Sequence, residues 1–251
     1  MKLASLFLLS IIFGNIFSCF GPFNPDDPFQ NNINDDPQVT IDSSLVAYYQ
    51  FDDTKQTLVQ DISNTHNDGI LQGGAVKTTK GALLSSSISM DGIDDYFYVE
   101  NNSSLNFGTS DFTISAWVKA APFNKDDDST RYDLFSKGEA CSTGIQISIY
   151  RTKIVGLVGK NSCDNSYQNY SIDTNWHSIV LKRKNNLVTL SIDNKLYQSY
   201  DYTGIVTTST NLFIGKNAMS DSNFFKGLID EIKIFKRSWS EDEVKKEADR
   251  F

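Results

Sequence analysis

Asp230 stands in the run Leu228-Ile229-Asp230-Glu231-Ile232-Lys233-Ile234. Read with the two-residue period of a strand, Leu228, Asp230, Ile232 and Ile234 share a face, which sets a carboxylate among aliphatic side chains. An ionised carboxylate left unpaired there costs several kcal/mol or is forced to protonate. It needs a partner. A hard cation that gathers six to eight oxygen ligands is one solution, and the chain offers Asp53, Asp61 and the carbonyls around Asn67 to Gly69. Asp53 is in phase with Leu45, Ala47, Tyr49 and Phe51, so it too is expected to turn inward at a strand end. The other solution needs no ion: Asp230 accepts backbone N–H groups or a Lys, while Asp61 and Asn67 shape turns.

Other chemistry is excluded more simply. The net charge is −8, from 23 basic and 31 acidic residues, and no basic run exceeds Lys182-Arg183-Lys184. That removes the electrostatic footprint of a nucleic-acid binder. No GxGxxG or GxxxxGK[ST] phosphate loop occurs. His66 and His177 lie far apart with no nucleophile motif beside them, which disfavours a catalytic triad, and with two cysteines they make no zinc cluster. Asp91-Gly92 and Asp94-Asp95 read as turn chemistry before a strand. Trp117 and Trp176 read as packing residues, and Trp239 as a plug ahead of a helix.

These groups must be positioned by strands. Short alternating runs separated by Asn, Asp, Gly and Ser recur from Leu45 onward, about thirteen of them. In one, Phe112, Ile114, Ala116 and Val118 fall on one face and Thr113, Ser115, Trp117 and Lys119 on the other. A helical signal comes only at the end, where Ser240-Glu241-Asp242-Glu243 has the spacing of a capping box and opens a short helix through about Asp249. Many antiparallel strands joined by turns predict an all-β fold of two packed sheets over residues 45–251. Ile145–Tyr150 and Ile154–Val158 read as a hairpin around Arg151-Thr152-Lys153. Pairing Tyr150 with Ile154 sets Cys141 opposite Cys163, and a disulfide there would stabilise by roughly 3 kcal/mol.

The first 44 residues differ in character. Met1–Lys2 and the apolar run from Leu3 to Phe17 read as an export signal, too short to span a membrane as a helix. Residues 1–18 are therefore expected to be removed. Ile16-Phe17-Ser18-Cys19 resembles the lipobox of bacterial lipoproteins, with Cys19 the lipidated residue; the bulky Phe17 departs from the small residue usual at that place. Residues 19–44 hold four of the five prolines, five aspartates and no basic residue, and read as an acidic tether.

Seven phrases then follow in order. They are Ala47-Tyr48-Tyr49-Gln50-Phe51-Asp52-Asp53, Asp61-Ile62-Ser63-Asn64 with His66-Asn67-Asp68-Gly69, and Ser89-Met90-Asp91-Gly92-Ile93-Asp94-Asp95-Tyr96. Phe112 to Val118, Trp176-His177-Ser178-Ile179, Leu212-Phe213-Ile214-Gly215 and Gly227 to Phe235 complete the series. This order resembles the LamG-like jelly-roll domain of the concanavalin A-like lectin/glucanase superfamily. The resemblance implies a two-sheet antiparallel jelly-roll sandwich, commonly a glycan- or protein-binding module of exported proteins, often with a structural calcium ion. On that resemblance Asp53, Asp61, Asn67 and Asp230 are the calcium set, with Asp52 replacing Asp53 if the strand bulges.

The expected function is a noncatalytic, lipid-anchored bacterial surface or periplasmic module that engages a glycan or glycosylated partner. Rings on loops, Phe123, Tyr132, Tyr167 and Tyr170, are the candidates for stacking on sugars. Two alternatives stand beside it: an adhesin for a protein or matrix partner, and a glycoside hydrolase. The second lacks the Glu-x-Asp-x-x-Glu arrangement that glucanases on this scaffold use.

Overall fold

Alternation organises the first sheet as the sequence predicts. Phe112, Ile114, Ala116 and Val118 enter the core from one strand, while Trp117 on its other face stays outside that cluster. The computed structural model describes residues 42–53, 57–82, 85–127, 129–159 and 169–250, all within one compact unit, Ile41–Phe251. The expected export signal, Cys19 and most of the expected tether lie outside the described residues. The chain joins the domain at Asp42, ahead of the expected start at 45. Lys236 N–H donates to the Ser44 carbonyl at 2.8 Å and Arg237 Nε to Asp42 at 2.7 Å.

In chain order the strands are β1 (Leu45–Tyr49), β2 (Leu58–Val59), β3 (Gly69–Gln72), β4 (Val76–Thr78), β5 (Ser87–Asp91), β6 (Tyr96–Val99) and β7 (Phe112–Ala120). After them come β8 (Arg131–Lys137), β9 (Ile145–Tyr150), β10 (Lys153–Val158), β11 (His177–Lys184), β12 (Leu187–Ile192) and β13 (Lys195–Asp201). The chain closes with β14 (Leu212–Ile214), β15 (Lys226–Phe235) and a helix, α1 (Glu241–Ala248). All pairings are antiparallel. One sheet runs β13-β12-β11-β7-β15-β5-β4, with β1 also on β15; the other runs β10-β9-β8-β14-β6-β3-β2. Between them lies one continuous core that includes Tyr49, Ile88, Phe97, Ile114, Ile147 and Ile232. Gly69 is required there, because a Cβ would meet Phe97 Cδ2 at 2.6 Å.

β15 is the keel of the first sheet. β7 flanks it on one side, while β5 and β1 share the other side end to end. Where the partner changes, Glu231 takes φ 52° and the register shifts between Asp230 and Lys233. This β-bulge inserts one residue and reverses the strand's phase. The expectation that Asp230 shares a face with Ile232 and Ile234 is therefore corrected. Ile229, Ile232 and Ile234 enter the core, whereas Asp230 lies opposite Trp117 on the outer face.

The helix packs on that outer face. Ser240 caps it with a complete capping box, and Trp239 and Val244 pack on Val180 and Phe235. Beneath it Glu247 accepts from Lys233 Nζ at 2.7 Å and Trp117 Nε1 at 3.1 Å, while Glu231 accepts from Tyr48 Oη and Arg250 Nη1, both at 2.6 Å. Burial alone would raise the Glu231 carboxyl, but the Tyr48 hydrogen bond and the Lys233 and Arg250 charges bring it below its ordinary value.

The cysteine hairpin forms with a different register. Tyr150 pairs with Lys153 and Ile149 with Ile154, because the loop is the two residues Arg151-Thr152 rather than three. A one-residue slip carries side chains to the opposite face, so this hairpin does not itself set Cys141 opposite Cys163. Cys141, half-buried beside Ala140, Val155 and Leu157, is disulfide-bonded, and its expected partner Cys163 lies outside the described residues.

Candidate functional site

β1 has β15 on one side only, and its other edge would present unpaired backbone groups. The segment 61–67 closes it. Asp61, fully buried, accepts the N–H groups of Tyr48 at 2.8 Å, Ser63 at 2.8 Å and Asn67 at 2.7 Å, together with Ser63 Oγ at 2.8 Å. The Val46 carbonyl accepts Asn67 Nδ2 at 2.8 Å, and the Asn67 carbonyl accepts the Tyr49 hydroxyl at 2.7 Å. Asp61 and Asn67 thus act as turn-shaping residues that seal a strand edge.

Asp230 is likewise buried among donors: Glu231 N–H at 2.7 Å, Ala82 N–H at 2.9 Å and Ser85 Oγ at 3.1 Å. Burial pushes its carboxyl up to about 7. Asp53 pairs with Lys77 at 2.7 Å, and exposed Asp52 accepts the Ser86 N–H at 2.7 Å. As a set, Asp53, Asp61, Asn67 and Asp230 do not fit a calcium ion. Asp61 and Asp230 are occupied by N–H and hydroxyl donors, Asp53 is held by an ammonium, and the three carboxylates do not gather at one point. Among the described residues the grouping within 4.8 Å is Asp91, Asp94 and Asp95. There Asp95 accepts the Asp91 N–H at 2.8 Å and the Gly74 N–H, and Asp91 accepts Ile93 N–H at 2.8 Å, which is the turn chemistry the sequence predicts.

The predicted sugar-stacking rings are committed to packing. Tyr132 is buried and stacks on Phe123 at 4.5 Å, and its edge meets Phe225. Tyr170 is half-buried against Tyr197 at 4.7 Å, and its hydroxyl lies 3.0 Å from His177 Nδ1. Tyr167 lies outside the described residues. His177 is also held by Asp193 on Nδ1 at 2.8 Å and Asp173 on Nε2 at 3.0 Å. Burial pulls the imidazole down, but these two carboxylates outweigh it and the net shift is upward.

A different surface offers rings to a ligand. In the seven-stranded sheet Phe97 and Val99 of β6 enter the core, so Tyr96 and Tyr98 point outward, half-buried, with exposed Glu100 following in phase. Register places Leu58, Ile70, Tyr98 and Phe213 in one row across β2, β3, β6 and β14. Tyr98 lies 6.2 Å from Phe213, which lies 6.0 Å from Tyr96; Phe224 is 6.3 Å from Tyr96. Lys216 Nζ sits 4.8 Å from both the Tyr96 and Phe213 rings and bonds Asp221. At the β2 end the row opens into a cleft of about 380 Å³ lined in part by His66, Asp68, Glu100, Asn101 and Asn102.

The loop that carries Lys216 and Phe224 is pinned to this sheet by Asp133. That fully buried carboxylate accepts Asn217 Nδ2 at 2.9 Å, Gln146 Nε2 at 2.9 Å and Ser148 Oγ at 2.6 Å. The ring row was not among the sequence candidates, although the alternation Tyr-Phe-Tyr-Val already separates two rings from the core-facing pair.

Two packed antiparallel sheets, one with a ring-bearing outer face, define a jelly-roll sandwich. Residues 91–245 match the family model of the Concanavalin A-like lectin/glucanases superfamily, and the chain belongs to that superfamily. None of the curated proteins compared matches the chain. Among solved structures, the botulinum neurotoxin serotype G binding domain is similar with a TM-score of 0.63 and 15% identity, over 81% of this chain and 50% of that one. Domain 4 of AbnA, an extracellular arabinanase from Geobacillus stearothermophilus solved with arabinotriose, gives 0.62 and 17%, over 82% and 98%. A botulinum neurotoxin type C structure, described by an interaction with two ganglioside molecules, gives 0.64 and 16%, over 82% and 51%. The chain thus spans about half the length of the toxin chains it resembles.

Two outcomes are expected. Asp61→Ala should lower the unfolding free energy by about 3 kcal/mol, because three buried N–H groups lose a charged acceptor, while a chelator leaves the wild-type melting temperature unchanged; denaturant titration and calorimetry read the two. For His177, the raised folded-state pKa means its contribution is complete below about pH 6.5 and is lost as pH rises through the higher folded value. Melting profiles from about pH 5 to 9 should therefore fall more steeply for wild type than for His177→Gln.

Proposed function

We propose that the chain is a noncatalytic glycan-binding module of an exported bacterial lipoprotein. The observation that carries this reading is the outward row of half-buried Tyr98 and Phe213 with Leu58 and Ile70, opening into a cleft of carboxylates and amides. Sugars present apolar ring faces and hydroxyl edges, so a site for them combines exposed aromatic planes with hydrogen-bonding groups. On the other sheet α1 covers the outer face over β7, β11 and β15.

Export, removal of residues 1–18 and lipidation at Cys19 belong to the same proposal, with the sequence of the first 44 residues as their support, and so does a Cys141–Cys163 bridge, with the disulfide-bonded state of Cys141 as its support. Intact mass of the protein extracted from membranes reads all of them together. Asp68 and Glu100 share the cleft, and a hydrolase needs two carboxylates flanking a glycosidic bond. Release of reducing ends from a bound glycan would move the reading to that class.

A glycan array probed with the full chain tests the module. Retention of one or more glycans is expected, with Tyr98→Ala and Phe213→Ala each weakening it at least about tenfold while melting stays cooperative. Undiminished binding by both variants, or no binding by wild type, contradicts the reading.

A further inference from the structure

The charge inventory around the ring row narrows the ligand class. The cleft exposes two acids, Asp68 and Glu100, beside the imidazole of His66, and no lysine or arginine is among its lining residues. Lys216 and Lys77, on neighbouring segments, are each paired with a carboxylate. Lys216, 6% exposed, is held under Tyr96 and Phe213 and paired with Asp221. Lys77 Nζ is shared between Asp53 at 2.7 Å and the Leu58 carbonyl at 2.8 Å. Lys236 is exposed and its Nζ donates to the Ser103 carbonyl at 3.2 Å, outside the cleft lining.

Lys137 is 2% exposed and lies beneath the cleft. Its Nζ donates to Asn101 Oδ1 at 2.6 Å, to the Thr210 carbonyl at 2.7 Å and to the Thr208 carbonyl at 3.3 Å. It cannot reach a ligand, but it fixes the Asn101 amide with its oxygen inward. The Asn101 NH2 group is then left as a donor for a sugar hydroxyl, with Asp68 and Glu100 as acceptors. An anionic sugar recognised in the usual way needs a charged, unspent fork or ammonium, and would here meet carboxylates instead. Four strands spaced 4.7–4.9 Å apart make the row about 14 Å long, the dimension of an extended oligosaccharide rather than a single residue.

Resting on the glycan reading above, we propose that this face takes an uncharged oligosaccharide laid across β2, β3, β6 and β14 and discriminates against sialylated or sulfated forms of the same chain. The test is an array of matched neutral, sialylated and sulfated oligosaccharides probed with the full chain at about 0.1 M and about 0.5 M salt. Neutral members should be retained at least about tenfold better than their acidic counterparts, with little change at the higher salt. Glu100→Lys, at an exposed position, should narrow that ratio, and Tyr98→Ala should abolish retention of every member. Preference for acidic members, a signal that collapses with salt, or a ratio unmoved by Glu100→Lys overturns the inference. If acidic members bind and Tyr98→Ala removes them, the glycan reading stands and only the neutral class falls; if no member binds, both fall.

Discussion

A carboxylate removed from water must be met by donors, and this sandwich meets that demand again and again with its own backbone. Asp61 closes the free edge of β1, Asp133 pins the 216–224 loop, and Asp230 ties the segment around Ala82 and Ser85 to β15. Each of these side chains is fully buried. Hydrogen bonds to a charged acceptor are worth roughly 1.5–3 kcal/mol apiece, and leaving their donors unpaired costs about as much. The acids therefore act as staples between strands and the loops that cross them. Glu231 and Glu247 repeat the arrangement with side-chain partners, binding α1 to its sheet through Tyr48, Lys233, Arg250 and Trp117.

That use of acids divides the surface. On the eight-stranded sheet α1 and its charged layer cover the outer face over β7, β11 and β15. On the seven-stranded sheet the Asp133 network and its loop cover one part, and the Tyr98–Phe213 row with its adjoining cleft is left to solvent. Rings that are half-buried and braced by neighbours lose little freedom on meeting a ligand, which suits recognition of a weakly polar surface. The domains this chain resembles place the same sandwich in toxins and in an arabinan-degrading enzyme, so the scaffold is shared and the loops and outward residues decide what is bound.

The architecture was legible because strand alternation is local. Phe112 to Ala120 declared its two faces, and Ser240 to Glu243 declared the helix start, with the cap in place. Two-residue β2 and three-residue β4 were too short to show a period. Asp230 was misplaced for a different reason: a bulge at Glu231 reverses the phase, and one sequence does not announce where an extra residue will be inserted. The hairpin at Arg151-Thr152 slipped by one for the same kind of reason, since loop length and register are set together. Of the two solutions open to Asp230, a cation or backbone N–H groups, the fold supplies the N–H groups, and which residues bring them, Ala82 and Glu231, no spacing rule reveals. The ring row was hidden because its members are 155 residues apart from Leu58 to Phe213 and meet only through strand register.

The edge seal of β1 is the most direct test of this account. Amide hydrogen exchange of Tyr48, Ser63 and Asn67, followed by NMR in protein stripped of divalent ions, should show these three N–H groups protected to the level of the central strands. Exchange at loop rates, or protection that returns only when calcium is added, would contradict the claim that Asp61 and its backbone donors close the fold unaided.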